Sequence, residues 1–320
     1  MQRTACFCLI DGREELANIR LEDESETITV GDTVEVERIG EDYYVRGIRP
    51  RRSCFYRLDP DPNIMKRQPV AANFDYIFLV QALGHDFNVG RLERYLAAAW
   101  PSGGMPVVVL TKADTFNDVD GAVLRASEVA VGVEVHAISA VTGEGMGAME
   151  RYFAPGKTVA LVGSSGVGKS TLVNAVAGEE VMSTGAVRDY DERGRHTTTY
   201  RRMILLPNGA RVIDTPGMRS LGVVESDGLG AAFPDVEAVI EKGCRFSDCT
   251  HSGEPGCAVT EAVRDGTLSR ERWERYRKLA AETERIERGI ARHDLFKENK
   301  KSRKFAEKRR KSSRKDWEDE

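Results

Sequence analysis

No stretch of this 320-residue sequence comes near the ~20 consecutive apolar residues that cross a bilayer. Its first residues, "MQRTACFCLI", are apolar over too short a span, and charged too soon after, to serve as a secretory leader. The expectation is a cytoplasmic protein with no membrane partner and with its thiols reduced. Cysteine is scarce, six residues in all, and no internal repeat is visible. Neither a disulfide scaffold nor a repeat array is therefore in view. Net charge is nearly missing too: −4 overall, which alone suggests no polyanion partner. What is present, 41% hydrophobic and 31% charged residues, fits a globular chain of two or three domains.

The small net charge conceals a segregation. Residues 297–315, "KENKKSRKFAEKRRKSSRK", hold eleven Lys or Arg against two Glu, so that +9 here faces −13 in the remainder. Such asymmetry points to a nucleic-acid or acidic-surface contact, and 297–320 is expected to be a disordered basic tail. Residues 1–70 read as a small β module, because "ETITVGDTVEVERI" and "DYYVRGIRPR" alternate apolar and polar residues between turn signals. Over 71–225 the texture changes. "FDYIFLVQAL", "MPVVVLT", "VEVHAIS" and "KTVALVG" suit buried parallel strands, and "NVGRLERYLAAAW" and "VDGAVLRASEVA" have helical spacing. Strands alternating with helices predict an α/β sheet, closed by an antiparallel hairpin at "TTYRRMILLP", "NG" and "ARVID". Residues 226–296 form a cysteine-rich knot followed by a long charged helix.

"GSSGVGKST", at 163–171, fits G-x-x-x-x-G-K-[ST] between an apolar strand and a helix, the context that gives the motif its meaning. Gly163, Ser164, Ser165, Gly166, Val167, Gly168, Lys169, Ser170 and Thr171 form a loop whose inward N–H groups suit phosphate oxygens. The helix N-terminus adds its partial positive charge. Lys169 is placed to reach the β- and γ-phosphates and Ser170 to hold Mg²⁺. Downstream, "VIDTPGM" puts Asp214 at a strand end, where it can hold the Mg²⁺ shell through water, and offers the Gly217 N–H to the γ-phosphate. Between them, "GRHTTTY" supplies Thr198 as a further metal ligand. Met218 stands where many GTPases carry a glutamine that orients the attacking water. His196 is the candidate in this chain for that task.

The base-reading signals come earlier, at "VLTKAD". The Asp114 carboxylate can accept from guanine N1–H and the 2-amino group, a pairing that adenine cannot make, and such sites discriminate by about 10⁴ or more. The stem of Lys112 would cover the base, with Thr111 and Ala113 completing the loop. Ser139 and Ala140 in "ISA" supply a backbone N–H for guanine O6. Thr111, at a position often held by Asn, is expected to brace the loop less well. In an ordinary GTP-binding domain the phosphate loop comes first. Here the base-reading block precedes it by about fifty residues, as in a chain re-cut by circular permutation.

"CRFSDCTHSGEPGC" gathers Cys244, Cys249, His251 and Cys257. Three thiolates and an imidazole make a closed tetrahedral set, which argues for one structural zinc. Cys6, Cys8 and Cys54 read as small buried hydrophobes.

Taken in order, "IRPRRSCFYR", "VAANFDYIFLVQA", "LTKAD", "SGVGKSTLVN", "GRHTTT", "DTPGMR", "FPDVEAVIEKGCRFSDCTHSGEPGCAV" and "RWERYRKL" closely resemble the circularly permuted GTPases known as ribosome small-subunit-dependent GTPase A, RsgA or YjeQ. The resemblance implies an N-terminal oligonucleotide-binding-fold (OB-like) module, although the module is short for a complete five-stranded barrel. It also implies a permuted GTPase domain and a C-terminal zinc module. The implied activity is that of a monomeric late assembly factor for the small ribosomal subunit, contacting its rRNA and leaving after subunit-stimulated GTP hydrolysis to GDP. A P-loop ATPase or kinase is the rival enzyme class, against which Asp114 argues. A zinc RNA-binding module using nucleotide only structurally would explain the knot and the tail but leave the phosphate loop unused.

Overall fold

A computed structural model describes residues 4–23, 26–59, 65–183, 202–215 and 226–315, the last nineteen by backbone alone. The chain opens with β1 (Ala5–Ile10), β2 (Arg13–Ile19), β3 (Val34–Ile39) and β4 (Asp42–Ile48). They form one sheet in the order β1-β2-β4-β3, in which β2 and β4 run parallel and β1 and β3 are the edges. Among the described residues this sheet is open and does not close into a barrel. A separate hairpin follows, β5 (Cys54–Leu58) with β6 (Arg67–Ala72), joined to the segment before β3 by a parallel bridge between Val30 and Ala71. A domain boundary drawn at residue 70 therefore falls inside β6.

The central sheet is built from β7 (Tyr76–Ala82), α1 (Val89–Ala99), β8 (Met105–Thr111), α2 (Val119–Val129), β9 (Glu134–Ala137), β10 (Thr158–Gly163), α3 (Lys169–Ala177), β11 (Arg202–Leu205) and β12 (Arg211–Asp214). Its order is β11-β12-β10-β7-β8-β9, parallel except for β11. Ile77 and Leu79 face one core with α1 and α2, while Phe78 and Val80 face the other with α3 and the turn at 146–153. A strand buried on both faces must be apolar throughout, which is why "YIFLVQA" shows no alternation. Helices from β7 onward in the order pack on one side and α3 on the other. The crevice between β10 and β7 is the switch point where open α/β sheets bind ligands, outside the carboxyl ends of the strands.

The remainder is helical: α4 (Asp227–Ala232), α5 (Pro234–Glu241), α6 (Ala258–Asp265) and α7 (Arg270–Lys315). α7 is fixed to α1 by a buried ion network. The Glu93 carboxylate, 1% exposed, accepts from Arg272 at 2.7 Å and Arg275 at 2.6 Å, and Arg272 also reaches Asp235. Breaking such a pair from one side costs about 3–5 kcal/mol, because the other charge is left buried and alone. Further along, Ile286 and Ile290 cover Tyr56 and Leu58 of β5.

The basic segment, expected to be disordered, instead continues α7 without a break to Lys315. Lys, Arg, Glu and Ala are good helix formers, and neither glycine nor proline occurs after Gly289. Among the described residues no helix is long and apolar enough to cross a membrane.

Candidate nucleotide-binding site

The phosphate loop joins β10 to α3. Gly163 lies so close to β7 that an added Cβ would sit 2.4 Å from the Val80 carbonyl oxygen, which excludes any side chain there. Gly168, with φ +93°, occupies the left-handed conformation immediately before the first turn of α3. Lys169 is 9% exposed and its Nζ donates to the Gly163 carbonyl at 2.9 Å and the Ser164 carbonyl at 2.8 Å. Burial holds its pKa below the ordinary lysine value, against the opposing pull of Asp214 and Asp86. Asp214, at the end of β12, is shifted the other way: burial raises its carboxyl pKa while Lys169 pulls it back. Its Oδ1 is buried without a hydrogen-bond partner. An orphaned, desolvated carboxylate oxygen beside a phosphate loop is chemically suited to a hard divalent cation or its water shell.

The base-reading residues end β8 and β9. Thr111 is 4% exposed, and its hydroxyl donates to the Val167 carbonyl of the phosphate loop at 2.5 Å. Threonine, expected to brace this loop less well than asparagine, makes this one bond to the neighbouring phosphate loop. Lys112 adopts a left-handed backbone, φ 61°, which turns the exposed Asp114 away from the strand direction. The Ala113 N–H donates to the Ile138 carbonyl, tying this loop to the end of β9. Fully buried Ser139 accepts at Oγ from the N–H groups of Val141 and Thr142 and so shapes the turn beside half-buried Ala140. The sheet has brought 111–114, 139–140 and 163–171 to one end, as the sequence reading required. His196, Thr198 and Gly217, with Met218, lie outside the described residues.

Two contributors carried no sequence signal. Tyr95 of α1, 1% exposed, hydrogen-bonds Ser164 of the phosphate loop through its hydroxyl. Asp86, in the β7–α1 turn, adds its negative charge to the surroundings of Lys169 and pairs with Arg91 at 2.9 Å. Neither belongs to a motif; in the structure Asn88 ends that turn by accepting at its side chain from the Arg91 N–H and so capping α1.

The cysteine–histidine set also converges. All four ligand atoms of Cys244, Cys249, His251 and Cys257 lie within 4.8 Å of one another. His251 Nδ1 stands 3.4, 3.7 and 3.6 Å from the sulfurs of Cys244, Cys249 and Cys257. Tetrahedral zinc with bonds of about 2.3 Å to sulfur and 2.0 Å to nitrogen separates such atoms by about 3.5 Å, so the set fits. Backbone N–H groups of Ala258 and Thr260 point at the Cys244 and Cys257 sulfurs, both at 3.4 Å. The Trp273 ring meets the imidazole edge-on at 5.9 Å. Cys54 is buried as expected, but Cys6 and Cys8 are only half-buried and their sulfurs lie 3.7 Å apart.

The sequence pattern of the RsgA GTPase family matches residues 48–224. The chain is 46% identical over 254 residues to the small ribosomal subunit biogenesis GTPase RsgA 2 of Listeria monocytogenes, spanning 79% of this chain and 71% of that one. It is 43% identical over 278 residues to the RsgA of Streptomyces avermitilis, spanning 86% and 74%. Among solved structures, YjeQ from Thermotoga maritima superposes with a TM-score of 0.60 at 26% identity, over 87% of this chain and 94% of that one. YloQ, a circularly permuted GTPase, shares the fold with a TM-score of 0.57 at 24% identity, over 89% and 92%. The base-reading strands that precede the phosphate loop are therefore the mark of a permuted domain, and the chain belongs to the RsgA GTPase family.

Proposed function

We propose that this GTPase acts in the biogenesis of the small (30S) ribosomal subunit, as a cytoplasmic monomer that binds the subunit and its rRNA and leaves after hydrolysis. The observation that carries the nucleotide part is the convergence of Thr111 and Val167, which fixes a guanine-type loop against a phosphate loop. The ribosomal part rests on the names of relatives at 41–48% identity. In this reading Asp114 selects guanine and the N–H groups of 163–171 cradle the phosphates. Lys169 exchanges its two carbonyl partners for β- and γ-phosphate oxygens, a short move for a side chain already inside the loop. Mg²⁺, when bound, neutralises charge developing between the β- and γ-phosphates. Ser170, Asp214 and Thr198 are the residues that would hold it, partly through water. Gly217 donates to the γ-phosphate, and His196 orients the attacking water once the subunit engages 194–199. One zinc, held by the Cys244, Cys249, His251 and Cys257 set, organises the helical module and takes no part in chemistry. The basic end of α7 contacts rRNA backbone.

The experiment is GTP and ATP turnover by the full chain, with and without purified small subunits. GTP-selective turnover raised by small but not large subunits is expected. Equal turnover of both nucleotides would overturn the guanine assignment, and GTP turnover indifferent to subunits would overturn the ribosomal one.

A further inference from the structure

Cys6 and Cys8 alternate along β1 with Phe7, so both thiols project from the same face of the strand. Their sulfurs are 3.7 Å apart, both residues are half-buried, and β1 is an edge of its sheet. We propose that these two residues form a redox-active dithiol that hydroperoxides convert to a reversible disulfide within β1. The site is independent of the nucleotide and zinc sites and of the function proposed for them.

The geometry supports both closure and reversal. Residues i and i+2 of an extended strand stand about 6.6–6.8 Å apart at Cα, the upper end of the range that a disulfide spans. A disulfide also needs its Cβ atoms within about 3.5–4.5 Å, so the bond forms only if β1 bends locally out of the extended conformation. An edge strand tolerates this, since one side of its ladder is unpaired. The resulting strain makes the bond readily reducible, the property of regulatory rather than structural disulfides. The hydrogen bond from Cys6 draws the Cys8 pKa down to about 7 against the effect of burial, which favours its thiolate form.

The chemistry runs in two steps. The Cys8 thiolate attacks the terminal oxygen of the hydroperoxide; an S–O bond forms, the O–O bond breaks, and the alcohol (or water) departs with a proton. The Cys6 sulfur then attacks the Cys8 sulfur; the S–S bond forms, the S–O bond breaks, and water leaves. Two thiols are oxidised to one disulfide, and the peroxide is reduced. Phe7, between them and 74% exposed on the opposite face, must shift as the strand bends, so the redox state is carried to the outer surface of the sheet.

Trypsin releases residues 4–13, "TACFCLIDGR", with both cysteines and no other. Zinc-loaded full-length protein is treated with hydrogen peroxide, alkylated under denaturing conditions and mapped by mass. The 4–13 peptide is expected to lose two hydrogens and resist alkylation at least about tenfold faster than Cys54 reacts, because Cys54 is buried with its thiol pKa raised by burial. Dithiothreitol should restore it. In Cys6→Ser, dimedone should trap Cys8 as its sulfenic acid. Oxidation of 4–13 no faster than that of Cys54, or passage of Cys8 to sulfinic acid without a disulfide, would overturn the proposal. Equal dimedone labelling of Cys6 in Cys8→Ser would overturn the role given to Cys8.

Discussion

The phosphate loop is one uninterrupted stretch, 163–171, with Val167 and Lys169 buried, whereas the base-reading surface is assembled from two strand ends and leaves Lys112 and Asp114 exposed. One end is shaped by covalent continuity and by glycines, Gly163 through close packing and Gly168 through its left-handed backbone. The other is shaped by register across β8 and β9, and by the single hydroxyl that Thr111 sends to Val167. Because the two ends are joined by hydrogen bonds and neighbouring strands, the chain can be cut and rejoined between them without disturbing the site. Permutation costs the site nothing because no peptide bond between the halves was part of it.

The comparison is tested hardest at its exposed end. Asp114→Asn is expected to abolish the preference for GTP over xanthosine triphosphate, a change of about 10⁴ in relative kcat/KM, because an amide donates where guanine also donates. Unchanged selectivity would remove the base-reading role from 111–114. At the buried end, Lys169→Ala should lower turnover about 10²- to 10³-fold while guanine selectivity stays intact. Loss of selectivity together with rate would mean that the two ends are not separable. The joint between them is a smaller matter. Thr111→Val keeps the shape but leaves the Val167 carbonyl unpaired, which costs about 1–3 kcal/mol. GTP affinity measured by calorimetry should fall about tenfold or more, and ATP should gain nothing.

The gentlest test is pH. Burial raises the Asp214 carboxyl pKa, so the folded nucleotide-free protein holds that proton more tightly than the unfolded chain does. Folding stability from this group is therefore greatest below its unfolded pKa and declines as pH rises through the raised value. Mg²⁺–GTP needs the ionised form, so binding should weaken as pH falls through that same window and release a proton there. Asp214→Asn should flatten this acid limb in titrations made in buffers of different ionisation enthalpy. An unaltered limb would assign the proton to another group.

How legible each part was follows the same division. The phosphate loop could be read outright because its chemistry is local, and the zinc set because four ligands fall within fourteen residues. The "TKAD" loop was readable only with "ISA", since each is short. The Thr111–Val167 bond spans 56 positions and Tyr95 meets Ser164 across the switch point, so only the sheet order could reveal them. Strand alternation did contain the Cys6–Cys8 juxtaposition, but reading both as isolated hydrophobes concealed it. The basic segment misled because its charge suggested disorder while its helix-forming residues favoured continuation of α7.

α7 has a consequence for how the molecule moves as a body. Its 46 residues make a rod about 70 Å long, whereas a compact chain of this length has a radius of gyration of about 20 Å. Anchored at Glu93 and again where Ile286 and Ile290 cover β5, the rod runs on as helix to Lys315. Over a rod of that length, a small rotation at the anchors becomes a displacement of many ångströms at its far end.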